Sequence, residues 1–391
     1  MQPIQGFCGG AFEYADRVID AQRCINIMPI NTESGTAKGN PVLVRTPGLS
    51  DGGLGDINDF ENLRLSQNQP LVYTASNGNI YTFTNRLQLS TNELLCSITM
   101  VTTLGVIDYI GQTVPIYPGQ AGIADNGIVI LLTVGSHYYV INLTAHTLAE
   151  LFDAYLTVGS SHVAFMDGYF IVNINDSIVF RHSPLNWAGL TAWSSLAYGE
   201  ANQSPGFIKG LIVSGRDLII FSVGSYEVWY DAGTTPMAFA RNISVAYNMG
   251  LQAKSSLAQL RSQVFWVGSG VEGYGQIFTL NGYQPVRISN SAIEAQMSSF
   301  STIDDAIGFT YQQSGQYFYV ISFQSGDRTF VYNLTSNLWH ERATWDTTTA
   351  RFSRWRVNSI AFFNNRLIYF IKIFLCKLNF VFYFFMYRQS I

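Results

Sequence analysis

The 391-residue sequence predicts an all-β fold: a β-propeller of six or seven blades, the last one incomplete, behind an irregular N-terminal arm. Three observations predict it. A unit of short apolar runs separated by tight-turn residues recurs along the chain. Its period is near fifty residues. The composition is rich in glycine and aromatics and poor in charge. Short strands at such a period mark blades that bury their faces only by stacking on neighbours. A large β-sandwich is the competing architecture.

The clearest unit is Leu211 to Asp231, LIVSGRDLIIFSVGSYEVWYD. Leu211–Val213, Leu218–Val223 and Tyr226–Tyr230 read as three strands of a meander. Gly215 sits in the first break. Gly224-Ser225, with glycine first, is the composition that a type II′ turn requires. The middle run is apolar throughout and suits burial on both faces. Glu227 gives the third run one face nearer solvent, with Trp229 and Tyr230 at its end. Related turns place Gly168, Gly315 and Asn365 between similar runs. The steps are 47 residues (168 to 215), 100 (215 to 315) and 50 (315 to 365), and 265–282 supplies the unit inside the long step.

In chain order, 1–50 form the arm. Pro29 biases its predecessor away from helix, 32–40 are a polar loop, and Val42–Arg45 is a strand ended by Thr46-Pro47-Gly48. Such an arm either packs across a neighbouring surface, adds a strand to the last blade, or is a flexible lead-in. Residues 51–366 form the propeller, weakly periodic over 86–126. Residues 183–206 are a long loop carrying Trp187 and Trp193. An exposed loop tryptophan is a contact anchor; covering the mouth of a blade is the alternative. Residues 289–300 read as a helix capped by Ser289 or Asn290, with Ile293, Met297 and Phe300 on one face. Residues 367–391 are a hydrophobic tail without Gly, Pro, Asp, Glu, Ala or Thr. Loss of the native reading frame near Phe370, a buried helix and a transmembrane helix compete for it. Lys372 and Lys377 weigh against the last, at about 2.5–3.5 kcal/mol each.

The net charge of −4 gives no compositional case for binding nucleic acid. Charged residues make up 12% of the chain, against about 25% in an ordinary domain, which fits surface hidden in an assembly. The four cysteines have neither zinc nor redox spacing and read as thiols in a reducing compartment. The N-terminus does not read as a secretory signal.

No catalytic, metal or cofactor site is expected. The five histidines show no HExxH pair, and GxSxG and Walker motifs are absent. Gly268–Gly273 matches GxGxxG by letters, but no helix is expected after it to receive a phosphate. Asp304-Asp305 cannot form the carboxylate pair of a propeller glycosidase, and Trp345-Asp346 occurs once, so there is no WD array. A glycan-binding or glycan-cleaving propeller acting on the bacterial surface stays open as the alternative function, on the aromatic loops.

Two segments carry a family resemblance. One is Gln22-Arg23-Cys24-Ile25-Asn26-Ile27-Met28-Pro29 followed by Leu43-Val44-Arg45-Thr46-Pro47-Gly48-Leu49. The other is Ser214–Phe221 with Gly224–Tyr230, continuing through Asn248-Met249-Gly250 to 285–297. Over roughly 20–350 the chain resembles the packaged-DNA stabilisation proteins of short-tailed bacteriophages, also described as tail accessory or tail-hub proteins. Arg45, Pro47, Gly48, Gly215, Gly224 and Trp229 are its structural motif positions. The resemblance implies a structural virion protein without enzyme activity. It implies a self-assembled ring, a hexamer, below the portal-adaptor ring, closing the DNA exit and docking the tail needle and tailspikes. DNA is then passing cargo and no membrane is involved. The expected place is the virion tail, after assembly in the host bacterial cytoplasm. The chain departs from the family pattern at its C-terminus.

Overall fold

The computed structural model describes residues 24–31, 41–46, 49–51, 122–142, 147–189, 191–269, 275–347, 349–363 and 366–375, with short strands at 72–74, 80–82, 95–96, 99–102, 105–108, 114–115, 380–383 and 387–389. The fold is an all-β propeller. Among the described residues it holds five four-stranded antiparallel sheets, each in simple sequential order. They span 122–150, 163–200, 208–247, 258–287 and 307–341. The chain divides into two compact units: 53–254 with 361–366, and 1–52 with 255–360 and 367–391.

Turn chemistry sets the register of the sheets. Asp167 and Gly168 both have positive φ (47° and 91°) between the paired residues Met166 and Tyr169. Ser314 and Gly315 do the same (49° and 74°) between Gln313 and Gln316. Two consecutive positive φ angles define the type I′ turn, whose twist matches the strands it joins. Gly215, at φ +66°, opens the turn between Ser214 and Asp217. This is the glycine-first geometry expected at Gly224. Gly224 itself has no positive φ. Its connection is longer, closed by the Ser222 N–H donating to Ser225 O at 2.8 Å, so the type II′ assignment moves from Gly224 to Gly215.

In the 53–254 unit the core lies between consecutive sheets. Ala124, Val129, Leu131 and Val140 of the first sheet pack with Val163, Phe170 and Val172 of the second. Ile171 and Phe180 of the second pack with Leu211, Leu218, Ile220 and Trp229 of the third. The middle strands are buried on both faces, as their unbroken apolar runs require.

In the other unit the 258–287 sheet is followed by the helix Ser291–Ser298. Asn290 is its N-cap, its side chain accepting from the Ile293 N–H at 2.9 Å, and Ala292, Ile293 and Met297 face inward. The N-terminal strands Ile27–Asn31 and Pro41–Arg45 pair with each other. The residues just before them run parallel beside the outermost strand of the 307–341 sheet. Asn26 N donates to Glu341 O at 2.8 Å, and Glu341 N donates to Cys24 O at 3.0 Å. Met28 packs into the core of this unit with Phe309, Phe318 and Val331. The arm therefore extends a sheet here instead of leading in freely.

The tail is stranded, not helical. Arg366–Leu375 pairs with Phe380–Tyr383, and Tyr387–Gln389 pairs with Leu49–Asp51. Phe, Ile and Tyr dominate it, and these residues favour a pleated backbone. Both helical readings of the tail are corrected. Among the described residues no helix is long and apolar enough to cross a membrane.

Candidate functional site

Trp187 and Trp193 are not solvent-facing anchors. They are 1% and 2% exposed, and their rings meet edge to face at 5.8 Å. Trp187 also stands edge-on to Phe170 at 5.8 Å and donates its Nε1–H to Thr191 O at 2.7 Å. The loop folds back to fill the core between the first two sheets, so neither ring is available to a partner.

Trp229 packs edge-on against Phe180 at 5.0 Å. Its Nε1–H donates to Glu227 Oε2 at 3.0 Å. Glu227 is buried, correcting the expectation that it faces solvent. Its other oxygen accepts the Gln203 N–H at 2.8 Å and lies 3.8 Å from Arg241 Nη1. Two donors and a nearby guanidinium hold a carboxylate that would be costly if left unpaired. Gly215 is open around its Cα, and Arg45 is exposed at the end of its strand. Pro47 and Gly48 lie outside the described residues.

One arrangement resembles a nucleophile and base. Ser161 Oγ lies 3.0 Å from His162 Nδ1. Asn173 Nδ2 donates to Ser161 Oγ at 3.1 Å, and Asn173 Oδ1 accepts the His162 N–H at 2.9 Å. Burial lowers the His162 pKa to about 4, against a Lys254 backbone hydrogen bond that raises it. Gly210 leaves no room beside the ring for a substrate, since even a Cβ there would press on His162 and Leu251. A base that weak and that enclosed does not activate a hydroxyl at neutral pH. The group is a polar tie between strands. Asp304 and Asp305 lie in a turn, and Asp305 Oδ2 is occupied by the Ser325 N–H. The strand Gly275–Asn281 follows the 270–274 segment and pairs back on Gln263–Ser269, so no helix opens after the glycine-rich sequence. No group of His, Cys, Asp and Glu suited to hold a metal ion is present among the described residues.

The surface is where chemistry is displayed. The hairpin Ala343–Asp346 and Arg351–Arg354 presents Trp345, 52% exposed, against its cross-strand neighbour Phe352 at 5.0 Å, edge to face. Both ends of the hairpin are pinned. Asn26 exchanges two hydrogen bonds with the Ala343 backbone, at 2.9 and 3.0 Å. Arg354 N donates to Asp327 Oδ1 at 2.9 Å, and Trp355 N donates to Thr329 Oγ1 at 3.1 Å. An aromatic pair held out on a fixed backbone loses little entropy on docking. Sequence reading passed over Trp345. The available signal was its place between polar Thr344 and Asp346 in a run too short and polar to enter a core.

A second patch lies in the other unit. Arg181 stands between the Tyr155 and Tyr198 rings, at 5.0 and 5.4 Å from their centroids. Asp153 joins the two loops beside it by accepting the Tyr155 and Trp193 N–H groups, both at 2.8 Å. Phe152 next to it is 84% exposed, and Leu196 is exposed as well. Arg and Tyr are residue types favoured in contact centres.

The described residues define an all-β propeller with polar ties inside and anchored aromatics outside. A family model described as "Bacteriophage P22 Gp10, beta-propeller" matches residues 59–370. The chain belongs to this phage stabilisation family, whose members are structural phage proteins. No curated protein matches the sequence. Among solved structures, one described as a 6-phosphogluconolactonase from Bacteroides uniformis is similar at 12% identity and TM-score 0.43, covering 69% of this chain and 82% of that one. A chain of a mitotic checkpoint complex is similar at 11% identity and TM-score 0.41, covering 83% and 90%. The N-terminal domain of Nup159 is similar at 6% identity and TM-score 0.40, covering 77% and 86%. Likenesses this distant assign no activity.

Proposed function

We propose that the protein is a ring-forming component of a phage tail. It sits below the portal-adaptor ring, closes the DNA exit after packaging, and docks other tail parts, the needle and tailspikes among them. The ring is a hexamer, assembled in the host cytoplasm. The observation that carries the reading is the anchored Trp345–Phe352 hairpin on a member of a phage stabilisation family. An exposed tryptophan held rigidly at both ends is a contact element in search of a surface. Low overall charge supports large apolar interfaces. The test is sedimentation of the protein with and without the adaptor ring. A ring that forms on the adaptor, and is lost in the Trp345→Ala/Phe352→Ala variant while its melting temperature is kept, supports the reading. A monomer that ignores the adaptor ring counts against it.

The Tyr155–Arg181–Tyr198 patch favours a second reading, contact with a surface glycan, since tyrosine faces and a guanidinium suit sugar rings bearing acidic groups. A glycan screen without binding removes it.

A further inference from the structure

Where the 307–341 sheet passes into the exposed hairpin, the chain buries a cation without a counter-charge. Arg342 is 3% exposed. Its guanidinium lies 4.4 Å from the centroid of the Trp355 ring and 5.9 Å from that of Tyr311. Among the described residues no carboxylate pairs with it. The adjacent Glu341 is engaged by Arg328, Nη1 to Oε1 at 2.7 Å. Two residues before Arg342, His340 is fully buried, and neither of its ring nitrogens has a hydrogen-bond partner among the described residues. Its ring stands edge-on to Phe318 at 6.1 Å, and Phe318 stacks on Tyr311 at 4.9 Å.

Two other buried charges are treated differently. Glu227 has two donors and the Arg241 guanidinium 3.8 Å away, and Glu341 has Arg328. Aromatic faces attract a guanidinium, by about 2 kcal/mol when it is desolvated. They do not satisfy its five directional N–H groups. Removing an ion from water costs several kcal/mol, and a partner with fitting geometry offsets that cost. A planar guanidinium fork fits one group best, an oxyanion received through two parallel hydrogen bonds. The local charge selects among oxyanions. Glu341 and Arg328 cancel, and His340 is held neutral by burial and by Arg342, its pKa lowered to about 3. Of these neighbours Arg342 carries the one charge left unmatched, and a single carboxylate neutralises it.

We propose that Arg342, seated on Trp355 and Tyr311, is a socket for a single carboxylate delivered by an acidic side chain of a partner protein. Because so little of Arg342 reaches solvent, the occupant enters as one side chain, not as a flat surface. The socket does not depend on ring assembly, and it can fail while the hairpin reading stands.

The test uses the full chain at pH 7 and fixed ionic strength, with sodium acetate, sodium phosphate and sodium chloride as probes. The readouts are the melting temperature and the arginine Nε–H resonances. The expected result is that acetate raises the melting temperature above chloride, and above phosphate, and moves one Nε–H signal that is missing in Arg342→Gln. Arg342→Lys keeps the charge without the fork, and its acetate response should be weaker by about tenfold or more. It serves as the decisive variant if Arg342→Gln does not fold. Equal melting in acetate and chloride with no resonance moving overturns the proposal. So does an unchanged acetate response in Arg342→Lys. A larger effect of phosphate than of acetate overturns the carboxylate assignment.

Discussion

Acid should unfold this protein through its buried histidines before its carboxylates titrate. Burial lowers the pKa of His162 to about 4 and that of His340 to about 3, the latter with help from the neighbouring Arg342 cation. His182 is lowered too, again first by burial. Its neutral ring is fully used: Nδ1 faces Ser183 O at 2.8 Å, and Nε2 accepts the Ala238 N–H at 3.2 Å. In the unfolded chain each histidine binds a proton near pH 6.5, while the folded chain refuses it until far lower. The stability they confer is complete above pH 6.5 and is lost as pH falls toward the folded values. Between pH 7 and pH 5, His162 and His340 should each remove about 2 kcal/mol, and His182 acts in the same direction. About 4 kcal/mol is a large part of the 5–15 kcal/mol that holds a typical domain. The assay is urea unfolding at pH 7 and pH 5, repeated on His162→Gln/His340→Leu. The double variant should lose about 4 kcal/mol less over the same interval, whatever its stability at pH 7. Equal pH dependence in the two proteins would refute the assignment of both rings.

Trp187→Ala should cost about 3–5 kcal/mol, as for any large aromatic removed from a core, whereas Trp345→Ala should stay within about 0.5 kcal/mol of the parent; chemical denaturation of both separates the buried tryptophan from the displayed one. Gly250→Ala should destabilise by about 3 kcal/mol or prevent folding, because a Cβ there would collide with the Ser222 and Val223 carbonyl oxygens, which are backbone and cannot turn aside; a normal melting temperature for this variant would contradict the close strand approach at that point. The family match ends at residue 370, shortly after the Asn364-Asn365 turn signal; in the coding DNA a second frame is expected to continue past that codon with turn-punctuated strands, and its absence from all frames would make the tail part of the native chain.

What could be read from the sequence divides along the range of the forces involved. Turns were legible because their demand is local. Asp167-Gly168 and Ser314-Gly315 carry the positive φ angles in residues that tolerate them, and the strands on either side follow. The capped helix after Asn290 was legible for the same reason. Gly224 misled because a glycine beside a serine suits several turns, and the number of residues between the paired strands decides which one forms. The state of Glu227 was not legible. Its partners include Gln203, which donates a backbone N–H, and the Arg241 guanidinium, residues that no local pattern associates with it. Trp187 and Trp193 were misread for a related reason. A long loop with two tryptophans has the composition of a contact loop, and only the position of Phe170 reveals that it folds inward.

For the same reason the site of a structural protein is harder to read than the site of an enzyme. A catalytic group must sit among particular partners at particular distances, so it leaves a motif. A docking aromatic needs only to be left outside, and being left outside is a property of everything else in the fold. Trp345 is exposed because its hairpin is too short to gain a second sheet and is held out by Asn26 and Asp327, one of them more than three hundred residues away in sequence. Arg342 lies at the foot of that hairpin for the same topological reason. Sequence alone presents it as one more basic residue, and only its burial against Trp355 turns it into a charge that calls for a partner.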